Sequence, residues 1–197
     1  MKVNNIFLVL VFVLTMSCKN EKVNKETTLP YFNTALFTPE WIDKDSDKYA
    51  YIHKIPTFSF INQNGEEITN KTYEGKIYVA DFFFTSCPGI CPRLAKNMRT
   101  LQEAFKDDDE VLLLSHSVTP EKDSVPVLKE YAIENQVNSK KWNLVTGNRK
   151  EIYDIARKAY FADEDFVKTQ DESAFIHTEN FVLIDKKGRI RGVYNGT

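Results

Sequence analysis

From Ile77 to Phe84 the chain reads IYVADFFF, almost continuously apolar with Asp81 as the exception. Such a run suits a central strand covered on both faces. Two further runs of this kind follow, EVLLLSHSV (110–118) and KWNLVTG (141–147). Between the runs the period changes. Leu94, Met98, Leu101 and Phe105 are spaced by four, three and four, which marks one face of a helix. SVPVLKEYAIEN (124–135) is a second amphipathic segment, with Pro126 in its first turn and Asp123 or Ser124 as its cap. Ile152, Ile155, Ala156 and Ala159 share one face of a third. Ahead of these, Phe58 and Phe60 alternate with polar neighbours and Asn64-Gly65 is a turn signal, so a β-hairpin is expected. At the other end, an Asp185–Gly188 turn joins two strands within AFIHTENFVLIDKKGRIRGVYNG, and no helix follows them. Three strand–helix units and then a hairpin make an α/β fold, a central sheet flanked by helices with an N-terminal hairpin. Phe161–Glu172, FADEDFVKTQDE, reads as the one long irregular connection, and loops of that length are often functional. Its acids Asp163, Glu164, Asp165, Asp171 and Glu172 read as a solvated face.

The first fifty residues follow another pattern. Lys2 precedes IFLVLVFVLTMSC, Ile6 to Cys18, whose apolar stretch of about ten residues is too short to span a bilayer and fits a signal peptide. Ser17 before Cys18 suggests lipoprotein processing. Cys18 would then be the lipidated N-terminus, although Thr15 stands three places before the cysteine, where leucine is usual, with Leu14 one further back. The expected organisation is a signal peptide over 1–17, a lipid-anchored tether and aromatic lead-in over 18–50, and one compact domain over 51–197. This places the domain in the cell envelope, facing the periplasm and held to a membrane. Apolar residues are 42% and charged residues 27%, a globular balance. The net charge of -2, with lysines and arginines dispersed, gives no reason to expect nucleic acid.

With Cys18 lipidated, Cys87 and Cys91 are the remaining thiols, in a compartment where disulfides persist. Cys87 ends a strand and Cys91 opens a helix, with Pro92 where a missing N–H is harmless. A helix N-terminus favours thiolate, which is both nucleophile and soft metal ligand. Three residues intervene, not the two of the usual redox motif. On a helix, i and i+4 share a face, so two sulfurs can converge on a metal or oxidise to a disulfide. Two sulfurs with one imidazole suit copper, Cu(I) above all. The chain has three histidines. His177, before the strand FVLID, is the foremost candidate. His116, at the exit of the second buried strand, could line the same crevice or sit as a satisfied, partly buried core histidine. His53, before the first hairpin, is the weakest. Asp81 reads as a strand-edge or turn-bonded aspartate.

The Cys-x-x-x-Cys-Pro motif, SVTPEKDSVPVLKEYA (117–132) and a histidine before FVLIDKKGRIRG together resemble the Sco/SenC family. These are thioredoxin-like copper proteins that help build the CuA centre of cytochrome c oxidase. The resemblance runs from about Ile55 to Gly196. It implies a thioredoxin-like sheet, a copper ion held by Cys87, Cys91 and His177, and an oxidase subunit or another copper client as partner. Gly89 and Thr119 stand where the family often has aspartate, and the last helix of the thioredoxin-like pattern is missing. Two rivals remain. A thiol–disulfide oxidoreductase acting through Cys87 and Cys91 fits fold and compartment, but no proline follows Pro126 to supply the thioredoxin cis-proline. A peroxiredoxin would need threonine where Phe84 stands.

Overall fold

The computed structural model describes residues 28–171, 174–176 and 178–197. The predicted signal peptide, Cys18, Glu172 and His177 therefore lie outside the described residues. Nine strands form two sheets among the described residues. The small one pairs β1 (Tyr31–Phe32) with β2 (Pro39–Glu40). The large one has seven strands, labelled β3 (Ser59–Asn62), β4 (Glu67–Thr69), β5 (Ile77–Phe83), β6 (Val111–Ser117), β7 (Trp142–Thr146), β8 (Asn180–Ile184) and β9 (Ile190–Asn195). Their order across the sheet is β4-β3-β7-β6-β5-β8-β9. β5, β6 and β7 are parallel, and the flanking pairs are antiparallel. The expected α/β architecture, the hairpin at Asn64-Gly65 and the closing hairpin are all present. No helix follows β9 among the described residues.

Parallel strands need crossover helices, and these cover both faces. α1 (Cys91–Ala104) and α2 (Val125–Glu134) lie on one face, where Leu94, Met98, Leu128, Leu113, Trp142 and Leu144 form a core. α3 (Arg149–Lys158) covers the other, packing Ile152, Ile155 and Ala156 on Phe60, Ala80, Phe82 and Val145. Strand alternation sends Tyr78, Ala80 and Phe82 to the α3 side and Phe83 to the α1–α2 side. Ser124 caps α2 by position but makes no side-chain cap bond, and Asp123 is spent elsewhere.

The connection read as irregular contains a short helix, α4 (Glu164–Thr169). Asp163 is not part of a solvated face. It is buried, caps α4 by accepting from the Phe166 amide at 3.0 Å, and pairs with Arg157 Nε at 2.9 Å. The aromatic lead-in packs on the domain as expected, with Tyr31 buried beside β9.

Candidate metal centre

Cys87 lies in the loop between β5 and α1, at the carboxyl end of the central strand, and Cys91 is the first residue of α1. Ile90 occupies the cap position without a side-chain bond. Pro92 has no N–H and the Arg93 amide bonds the Ile90 carbonyl at 2.9 Å, so within the first turn the Cys91 amide is the one turned to the Cys87 sulfur. Burial opposes its charge, but a hydrogen bond from the Cys91 thiol and the amides of Cys91, Gly89 and Ile90 hold Cys87 below the usual thiol range. Cys91 goes the other way. Burial, and then the hydrogen bond it gives to Cys87, push it up to about 12. Both thiols are buried, and their acidities split, Cys87 downward and Cys91 upward. No disulfide joins them.

Across from Cys91 runs the segment after α4. Its ties are visible on both sides of residue 177. Arg157 donates to the Ala174 carbonyl at 2.7 Å. Phe175 packs edge-on against Phe84 at 5.4 Å. Ile176 is 2% exposed. A narrow void is lined by Cys91, Phe82, Phe84, Ile90 and Val118, with Ile176 and Thr178 on its other wall. Both chain neighbours of His177 therefore border the space next to a cysteine sulfur. Among the described residues no three His, Cys, Asp or Glu side chains cluster as a metal site.

The other histidines are elsewhere. His53 Nε2 lies 2.8 Å from the Ala159 carbonyl on the α3 side. His116 does not line the cysteine crevice, because strand alternation turns it to the opposite face. Nor is it partly buried and satisfied. It is 0% exposed, stacks on Phe82 at 5.0 Å, and is ringed by Phe58, Phe60 and Tyr160. Among the described residues neither ring nitrogen has a well-formed hydrogen bond. Burial lowers its pKa to about 3, and the nearby Asp81 backbone offsets only part of that.

The SCO1/SenC family model matches residues 47–197. The chain belongs to the SCO1/SenC family. The SCO1 protein homolog of Bacillus subtilis is 32% identical over 146 residues, covering 73% of this chain and 75% of that protein. The crystal structure of a SCO1/SenC family lipoprotein from Bacillus anthracis has a TM-score of 0.62 and 31% identity, covering 73% of this chain and 85% of the other. The copper-bound ScoI of Arabidopsis thaliana has a TM-score of 0.55 and 27% identity, covering 71% and 86%. The large sheet is accordingly thioredoxin-like.

Two departures of this SCO1/SenC chain can now be placed. Gly89 has open space where a side chain would project, so the missing aspartate removes charge without altering packing. Thr119, the other departure, donates its hydroxyl to Asp123 at 2.9 Å. Two carboxylates beside the cysteines carry more than the sequence suggested. Asp81 is not at a strand edge. It sits in mid-β5, 2% exposed, accepting from Ser115 Oγ, which accepts in turn from Trp142 Nε1 at 2.8 Å. Burial raises its pKa to about 7, against the opposing Ser115 bond. Asp123 was read only as a possible cap. A buried charged residue shows in sequence as polarity inside an apolar run. That signal was available for Asp81, whereas Asp123 lies in a polar loop and gave none.

Proposed function

We propose that this protein carries one copper ion between Cys87, Cys91 and His177 and hands it to a copper-requiring subunit of a respiratory oxidase. Lipid at Cys18 would hold it to a membrane of the cell envelope. The observation that supports this most is the meeting at the α1 N-terminus. Cys87, its thiol held below the usual range, stands four residues before Cys91 at the helix start, and Ile176 and Thr178 border the void at Cys91. Two soft sulfurs and one imidazole are a Cu(I) donor set, and low coordination leaves room for an incoming client thiolate or imidazole. Copper thus moves as cargo by ligand exchange, never free in water. Conversion of the pair to a disulfide removes both sulfur donors, so the redox state of the pair gates loading. Relatives agree in kind: the Arabidopsis ScoI structure holds copper, and the Bacillus subtilis protein is described as a member of a family of cytochrome c oxidase assembly proteins.

The test is a copper titration of reduced protein. One equivalent binds. Cys87→Ser and Cys91→Ser abolish binding, and His177→Ala weakens it strongly. Undiminished stoichiometry in the double cysteine variant overturns the reading. A thiol–disulfide oxidoreductase is the second reading, favoured by the split acidity of the two thiols. Against it, no proline follows Pro126 to stand opposite the cysteines as in thioredoxins. Rapid turnover of a disulfide substrate by metal-free protein would reverse the ranking.

A further inference from the structure

Asp123 has no catalytic or ligand position, yet it is 0% exposed and densely bonded. One carboxylate oxygen accepts from Thr85 Oγ1 at 2.6 Å. The other accepts from Ser117 Oγ at 2.5 Å, Thr119 Oγ1 at 2.9 Å and the Thr85 amide at 3.2 Å. Its partners are three hydroxyls and an amide, with no cation within ion-pair distance among the described residues. A carboxylate is acceptor-only, so it can take all of these donors at once. An asparagine has one acceptor oxygen; turned to keep the Thr85 amide, Ser117 and Thr119, it points its NH2 at Thr85 Oγ1 in place of an acceptor.

The donors come from separate parts of the chain. Ser117 ends β6, Thr119 is in the loop before α2, and Thr85 lies two residues before Cys87 on the loop that leaves β5. A second tie, from the Val118 amide to the Phe83 carbonyl at 2.9 Å, runs beside them. Among the described residues, the backbone bond that holds the loop beyond Thr85 is its own turn, Cys87 amide to Phe84 carbonyl at 3.2 Å, and α1 begins four residues after Cys87.

We propose that Asp123 is the positioning residue of the thiol site. It clamps Thr85 to the β6 exit and so fixes the loop that brings Cys87 to the α1 N-terminus and to Cys91. The proposal builds on the reading of Cys87 and Cys91 as the working pair, but not on which metal they bind. Holding Cys87 at the N-terminus of α1, where the helix dipole favours a thiolate, stabilises the reduced form of the pair. Cutting the clamp withdraws that support, which favours the disulfide and loosens the paired sulfurs as a copper site.

The measurement is the reduction potential of the Cys87–Cys91 couple in metal-free full-length protein, set against glutathione buffers, with Cu(I) affinity measured by competition with a chromophoric chelator. Thr85→Val removes the hydroxyl at nearly constant volume and leaves the Asp123 charge in place. It should shift the couple about tenfold toward disulfide, about 30 mV more negative, and weaken Cu(I) binding by a similar factor. Thr85→Ser should restore both. Asp123→Asn should shift the affinity the same way where it folds. A purely structural role would lower the unfolding midpoint of Thr85→Val without moving the potential, and that result overturns the proposal. An unshifted Thr85→Val potential does so whether or not wild-type protein binds copper. Absent copper binding with a shifted potential instead sinks only the copper reading.

Discussion

At the level of single residues, the two buried titratable groups of the sheet oppose each other in pH. Asp81 keeps its proton to about pH 7 in the fold but loses it near 3.8 in the unfolded chain. Between those values the folded state holds more protons, so stability falls as pH rises and levels off above about 7. His116 is the mirror case. Its folded value is about 3 against 6.5 unfolded, so the unfolded chain holds more protons and stability rises with pH over that window. From about pH 4 to 6.5 the two contributions cancel in the wild type. Urea unfolding across this range should be nearly flat for wild type as regards these groups. It should rise in Asp81→Asn and fall in His116→Phe, each by about 1.4 kcal/mol per pH unit at most, and flatten again in the double variant. Parallel behaviour of both single variants would refute the assignment. The sequence showed both residues in apolar runs but not which way they faced. A strand buried on both sides has no alternation to set its phase, so His116 looked able to reach Cys87 when its ring lies on the other face. The cysteines were legible because strand end, helix start and proline all converge on them.

At the level of elements, the strand–helix order was readable because α1 and α3 are long enough to show a period and β5 to β7 are apolar throughout. α4 was not, since six residues make under two turns and its sequence opens on acids. It leads into the stretch whose Ile176 and Thr178 border the void at Cys91, and Arg157 is the clasp. This buried guanidinium pairs with Asp163, bonds the Ala174 carbonyl, and sits over the rings of Phe166 at 4.5 Å and Tyr153 at 5.0 Å. It therefore joins both arms of the segment to α3. Removing one member of a buried ion pair strands the other, typically at about 3–5 kcal/mol. Arg157→Met should lower the unfolding free energy by that order. It should also speed proteolysis between residues 161 and 176 and weaken copper binding. Asp163→Asn, which leaves an acceptor for the guanidinium, should cost less. Unchanged proteolysis in Arg157→Met would show that the segment is held by its apolar contacts alone.

Across the whole molecule, the lead-in belongs to the folded body by a device that composition only hinted at. Lys187, Arg189 and Arg191 project at alternate positions of the final hairpin and interleave with two tyrosines from the lead-in. The Lys187 ammonium is 5.3 Å from the Tyr49 ring, Arg189 lies 4.0 Å over Tyr49 and 5.6 Å from Tyr31, and Arg191 lies 4.1 Å over Tyr31. Arg189 also bonds the Tyr49 carbonyl at 3.1 Å, and Arg191 the Pro30 carbonyl at 2.9 Å. Each such cation–ring contact contributes roughly 0.5–1 kcal/mol near a surface, so the set outweighs the freedom the lead-in gives up only when several act together. Docking has a geometric consequence for a chain tethered at Cys18. Even fully extended, the ten residues from Cys18 to Thr28 reach about 35 Å, whereas an undocked tether to Tyr51 could reach roughly 115 Å. With lipid on Cys18, as proposed, the docked lead-in would confine the Cys87–Cys91 site to a shell close to the membrane, where a client subunit would present its own ligands. Tyr31→Ala with Tyr49→Ala should release the segment. Trypsin should then cut at Lys44 and Lys48 many times faster, and the melting temperature should fall by several degrees. Copper stoichiometry should stay the same, because the ladder lies on the turn before β9 and on its first residues, not at the α1 N-terminus. Equal cleavage rates in the double variant and the wild type would mean that β1 pairing and the Arg191 backbone bonds hold the lead-in without the rings, and that the reach of the site is not set by this ladder.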